Sequence, residues 1–215
     1  MTDNTTQDIT LGEGAGDSVA LGSVTVDAND VSLTEESSGT EFTGTNTVTG
    51  ALTVNASGAI TDAASTTLSV TGLATLNAGS NGITLGGGTD TTNFGSLDVT
   101  GTAVQIQEDS GTTLAGVSAS SLTLTSSGAI DDGATSTISV SGLATLNAGS
   151  NTITLGNDDT LNFGTLDVTG TTVQITEDSG TSLVGVSASS LVLSSAGSIT
   201  DTATASISVS GNADL

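Results

Sequence analysis

The sequence predicts an all-β chain: a single parallel β-helix (β-solenoid) with three strands per coil and coils of about 22–25 residues, the size of a solenoid repeat. Three observations predict it. The phrase "GLATLNAGSNGITLG" (Gly72–Gly86) returns as "GLATLNAGSNTITLG" (Gly142–Gly156) with one residue changed, and such self-similarity at a fixed period marks stacked repeats. Apolar residues alternate with small polar ones in "SLTLTS", "TISVSG" and "VQIQ", a strand period of two with no helical period anywhere. Proline, which cannot donate to a β ladder, is absent.

The long period is about seventy. It carries Phe94 to Phe163, both in "NFG" phrases, and "ITLG" stands at Ile9–Gly12, Ile83–Gly86 and Ile153–Gly156. Residues 1–215 are therefore expected to form one solenoid domain of three repeats, about 2–75, 76–145 and 146–215, with three coils each. Within them, the apolar residue ahead of each small polar corner gives the series Val26, Val54, Leu76, Val99, Leu124, Leu146, Val168, Leu193, Leu215, with steps of 28, 22, 23, 25, 22, 22, 25 and 22. The following positions (Asp27, Asn55, Asn77, Thr100, Thr125, Asn147, Thr169, Ser194) are all short and polar, as tight bends require. Stacked at about 4.8 Å they form polar ladders. In the third repeat the inward residues are expected to be Leu146, Ile153, Leu155, Leu161 and Phe163, then Val168, Val173, Ile175, Leu183 and Val186. Thr53, Thr75, Thr123 and Thr145 are expected to point outward in a ladder interrupted by Asp98 and Asp167.

Composition excludes much chemistry. Lys, Arg, His, Cys, Trp and Tyr are absent, and 23 acidic residues give a formal charge of -23. Such a chain repels nucleic acid and anionic membranes, and no apolar run approaches the roughly 18 residues of a membrane-spanning helix. Acid–base, nucleophilic and phosphate chemistry lose their usual side chains. Adjacent carboxylates such as Asp131 and Asp132, or Asp158 and Asp159, are of the kind used in glycoside hydrolysis. Neighbours on a strand point to opposite faces, however, and no aromatic platform offers itself to a sugar. The chain is read as no enzyme.

The Thr/Ser/Gly/Asn-rich coils, the "SGxIxD" and "ISVSG" phrases and the recurring coil period resemble passenger repeats of large bacterial exoproteins, the filamentous-haemagglutinin-like and related β-strand-repeat adhesins. The resemblance covers most of the chain. It implies a right-handed coil, an extracellular or cell-surface location, and a structural role as subunit or segment of a filament, sheath or adhesin rod.

Two candidate sites follow. "EESSGT" at Glu35–Thr40 and "EDSGT" at Glu108–Thr112 and Glu177–Thr181 place Glu35, Glu36, Glu108, Asp109, Glu177 and Asp178 beside glycine and hydroxyls, oxygen ligands of the type Ca²⁺ takes. The competing reading is a solvated charged turn. No cofactor is expected on that reading, and Ca²⁺ is the one alternative. The alternative functions are a Ca²⁺-dependent module binding glycan or a partner surface, and a polysaccharide-acting β-helix enzyme. The second site lies at the ends. "GNADL" (Gly211–Leu215) aligns with "GLATL" (Gly72–Leu76), whose continuation resembles "DNTTQDITLG" (Asp3–Gly12). Asp3, Ile9, Leu11, Ala213 and Leu215 are thus expected at self-assembling ends, the partner being a second copy stacked head-to-tail or flanking repeats of a longer chain, with divalent cations as possible aids.

Overall fold

The structure, a computed structural model, describes residues 6–14, 17–157 and 159–215. Asp3 and Asp158 lie outside the described residues. The chain divides into two compact units, one ending at Asp109 and one beginning at Ser110. Among the described residues there is no helix, and strands pair in parallel as a β-solenoid in each unit. The first unit contains β1 (Ile9–Leu11), β2 (Asp27–Ala28), β3 (Val31–Glu35), β4 (Thr40–Phe42), β5 (Thr45–Val48), β6 (Leu52–Ala56), β7 (Ile60–Asp62), β8 (Thr67–Asn77), β9 (Ile83–Leu85) and β10 (Thr91–Glu108). The second contains β11 (Thr112–Ser126), β12 (Ile130–Asn147), β13 (Ile153–Leu155), β14 (Thr160–Glu177), β15 (Thr181–Ser195), β16 (Ile199–Val209) and β17 (Ala213–Asp214).

Three columns of inward residues form each core. In the first unit Leu11, Leu33, Val54, Leu76 and Val99 stack in one column. Thr40, Ile60, Ile83 and Val104 make the second, and Ala28, Val48, Val70 and Phe94 the third. In the second unit the columns are Leu124, Leu146, Val168, Val186, Ile207; Ile130, Ile153, Val173, Leu191, Ala213; and Val117, Ile138, Leu161. Each column stacks β-branched and aliphatic side chains on those of the next coil, and strands such as Leu52–Ala56 and Ile153–Leu155 pair with a parallel strand on both sides. Ile153 and Ile175 are both buried on successive coils, as the sequence predicts. The Thr ladder forms too, Thr53 pairing Thr75 and Thr75 pairing Asp98, with Thr123, Thr145 and Asp167 aligned likewise.

Two steps of the predicted series are corrected. Val26 is not the residue beneath Val54; Leu33 is, so the apparent step of 28 shortens to 21. Val168 lies on Val186 rather than Leu193, so the apparent step of 25 shortens to 18. Leu193 instead pairs with Ile175, and Ser194 with Thr176, not with the corner ladder of Asn147 and Thr169. Both Val186 and Leu193 precede a small polar pair, which is why the sequence pattern alone does not separate them.

The correction changes the repeat itself. Leu124 heads the first column of the second unit, while its counterpart one repeat later, Leu193, stands in the column of Leu155 and Ile175. In the first unit the strand at Ile9 and its twin at Ile83 likewise occupy different columns. One repeat is therefore three coils and one further face, not three coils.

Close coil-to-coil approach explains several glycines. A Cβ on Gly95 would fall 1.9 Å from the Thr71 carbonyl oxygen, and one on Gly164 2.2 Å from that of Ser141. The "NFG" glycine thus belongs where the strand bends from one face to the next against the backbone below.

Candidate functional site

The acidic phrases form a recurrent polar constellation inside the core of the described residues, and it follows from the short coil. The strand ahead of each phrase, Thr91–Phe94 or Thr160–Phe163, pairs with a strand on one side. On its other side the turn "EDSG" runs past in place of a strand. Its two acids supply the missing acceptors. Asp109 Oδ2 accepts the Thr92 N–H at 2.9 Å and Glu108 Oε1 accepts the Phe94 N–H at 2.9 Å. One repeat later, Asp178 Oδ2 accepts the Leu161 N–H at 3.0 Å and Glu177 Oε1 the Phe163 N–H at 2.8 Å. Because alternate strand N–H groups face the same edge, two consecutive acids can span two of them, the Glu from inside and the Asp from outside.

The glutamates are buried: Glu35 is 1 % exposed, Glu108 0 % and Glu177 1 %. A carboxylate in such a place requires compensation, and the chain has no basic residue to give it. Hydroxyls and amides serve instead. Glu177 accepts the Ser179 hydroxyl at 2.9 Å and the Thr181 hydroxyl at 2.5 Å. Glu35 accepts the Leu21 N–H at 2.9 Å, the Ser38 hydroxyl at 2.7 Å and the Thr40 hydroxyl at 2.5 Å. Charge-assisted bonds of this type are about twice as strong as neutral ones. In all three copies the glutamate lies 14 residues after the amide it holds.

Of the six Ca²⁺ candidates, then, Glu35, Glu108 and Glu177 point into the core, and Glu36, Asp109 and Asp178 are exposed. Among the described residues no group of three or more acidic side chains gathers in a metal-binding arrangement. At the expected ends, Ile9 and Leu11 are half-buried, Ala213 is exposed and Leu215 is 70 % exposed.

A second clasp, unforeseen in the sequence, joins the I-T-D and I-D-D phrases to "ITLG". Asp62 Oδ2 accepts the Gly86 N–H at 2.7 Å, and Asp132 Oδ2 the Gly156 N–H at 2.5 Å, each partner 24 residues on. Asp90 and Asp159 fasten the same corner, accepting the Thr66 and Ser136 N–H groups at 2.9 and 2.6 Å. The constant Asp-to-Gly spacing of 24 was the available signal.

Desolvation pushes the Asp62 and Asp132 carboxyls above their ordinary value, with the neighbouring Asp90 and Asp159 charges adding to it against the glycine hydrogen bonds. A carboxyl raised in the folded state binds its proton more tightly there than in the unfolded chain. Its contribution to stability is full below the ordinary carboxyl range and is lost as pH rises through the folded-state value. Thermal melts across mildly acidic pH are expected to show the parent gaining stability, as pH falls, relative to an Asp62→Asn/Asp132→Asn chain. Parallel profiles for the two chains would contradict the assignment.

Two stretches, residues 28–97 and 101–169, match the family model described as repeats of unknown function (DUF5649). The chain belongs to this family. Each DUF5649 match has the length of one repeat as defined above, and the second contains both the Asp132–Gly156 clasp and the Phe163 strand. No curated protein and no solved structure matches the chain.

Proposed function

We propose that this DUF5649 repeat protein is a structural element of the bacterial cell exterior, a subunit or segment of a surface filament, sheath or adhesin rod. One observation carries the reading: the three buried glutamates, the side chains best suited to chemistry in a chain without His, Cys, Lys or Arg, each commit a carboxylate oxygen to a backbone amide 14 residues earlier, and Glu35 and Glu177 commit the other to a hydroxyl of their own phrase. Carboxylates so engaged serve cohesion rather than turnover. The polar ladders support it too, since Asn77 donates to Asn55 across coils at 3.3 Å and Thr, Asn and Ser continue the corners. The resemblance to exoprotein passenger repeats supplies the location.

Immunogold labelling of intact cells that make the chain tests this. Gold on surface fibres or a surface coat is the expected result. Label found only after permeabilisation overturns it.

A further inference from the structure

One short phrase occupies the same structural position three times, with two different outcomes. Ile60–Asp62 carries the "ITLG" strand of the next coil, Ile60 pairing Ile83 and Thr61 pairing Thr84, and Asp62 takes the Gly86 N–H. Ile130–Asp132 carries Ile153–Leu155 in the same way, and Asp132 takes the Gly156 N–H. The third phrase, Ile199–Asp201, stands one repeat after the second and repeats the first letter for letter. It pairs with Thr181–Leu183 just as Ile130–Asp132 pairs with Thr112–Leu114. Among the described residues no strand pairs with its other edge. The coil it begins is uncovered: Ile207 is 50 % exposed and Leu215 70 %, whereas their counterparts Ile138 and Leu146 are fully buried beneath Leu161 and Val168.

The complementary case is β1, Ile9–Leu11. It pairs with Val31–Leu33 as Ile83–Leu85 pairs with Val104–Ile106 and Ile153–Leu155 with Val173–Ile175. Gly12 has φ +79°, beside +70° for Gly86 and +86° for Gly156. A Cβ on each of the three would meet a backbone carbonyl oxygen of the following coil at 2.3, 2.1 and 1.9 Å. Thus β1 has the backbone and surroundings of the two strands that rest on an aspartate phrase. Among the described residues it has no such phrase beneath it.

We infer that the surface of β16 and β17 docks a second copy of this chain through that copy's first coil, Ile199–Asp201 receiving Ile9–Leu11 in parallel register and the Asp201 carboxylate accepting the Gly12 N–H. The inference rests on the structural reading above and names its partner. The contact continues the coil-on-coil interface present inside each unit, with the same residue types in the same register. A contact between two different surfaces of one molecule is head-to-tail, so it repeats from copy to copy and grows into open fibres wherever its rotation does not close a ring. The charge of -23 on each copy opposes association, and because the Debye length falls from about 10 Å at 0.1 M salt to about 3 Å at 1 M, salt promotes it.

The test is sedimentation and electron microscopy of the full chain at low and high salt. The parent is expected to lengthen with concentration and salt. Asp201→Ala, which removes one charge-assisted hydrogen bond, is expected to weaken association by about tenfold or more. Ile207→Asp is expected to abolish growth while adding, through its intact β1, to parent fibres and stopping them at minority amounts. Asp201 and Ile207 are exposed, so the melts of both variants should match the parent. If either variant misfolds, Thr200→Lys, an exposed charge on the same edge, replaces it. A parent that stays monomeric throughout, variants that associate as the parent does, or growth that halts at dimers through β16 pairing with itself would each overturn the inference. A monomer that labels the cell surface sinks the stacking alone; fibres formed by a chain found only inside cells sink the surface role alone.

Discussion

An Ile175→Asp chain is expected to lose the cooperative folded state of the unit that begins at Ser110. Ile175 is buried, with Leu155 paired on one side and Leu193 on the other. The new carboxylate would lie between two apolar layers. No Lys, Arg or His exists in the chain to approach it, and no hydroxyl occupies the adjacent layers of that column. Burying an unpaired charge costs several kcal/mol, a large part of the roughly 5–15 kcal/mol that holds a domain together. Ile175→Ala is the control, expected to lose about 2–5 kcal/mol through its cavity. Because the chain lacks Trp and Tyr, the measurement is circular dichroism against urea. An Ile175→Asp chain that unfolds at the parent midpoint would place this side chain outside the core.

Glu177→Ala is the second large effect. It leaves the Phe163 N–H and the Ser179 and Thr181 hydroxyls without their acceptor. The Phe163 N–H and the Thr181 hydroxyl are buried, whereas the Ser179 hydroxyl is part-exposed and also reaches the Gly180 carbonyl. Each donor orphaned in a buried place costs about 1–3 kcal/mol, so a loss of about 2 kcal/mol or more is expected. Glu177→Gln keeps the oxygen that faces Phe163 but turns an amide donor toward a hydroxyl, and should fall between. Amide hydrogen exchange gives the specific readout: protection at Phe163 should fall in Glu177→Ala more than in Ile175→Ala. Equal protection in both would mean that the carboxylate does not hold that amide.

The fold was legible because two independent codes agreed in most coils. Alternation set the inward face at Leu146, Ile153, Leu155 and Val168, and short polar corners marked the bends at Asn55, Asn77 and Asn147. Legibility failed where both codes were satisfied twice within one stretch. "LVGVSASSLVL" (Leu183–Leu193) offers Val186 before Ser187–Ala188 and Leu193 before Ser194–Ser195, and only pairing across coils shows that Val168 takes Val186. The acidic phrases were visible as phrases. Their work was not, because a carboxylate without a basic partner reads as a surface group until the shortened coil is seen to leave the Thr92 and Phe94 amides facing it. The same holds for Asp62 and Asp132, whose partner glycines lie a full coil away along the chain.

The extra face in each repeat makes copy number an indexing device. Were a repeat a whole number of coils, gaining or losing one would alter length alone. Here a repeat within either unit advances the pattern by one face of the three, as Ile9 and Ile83 show in the first and Leu124 and Leu193 in the second, an indexing of about 120° per repeat. Unequal recombination that adds one repeat would therefore re-aim whatever the chain carries beyond it, and only changes by threes would restore the original bearing. Alleles differing by one repeat should present any epitope downstream to a different side, so that reach and direction vary together.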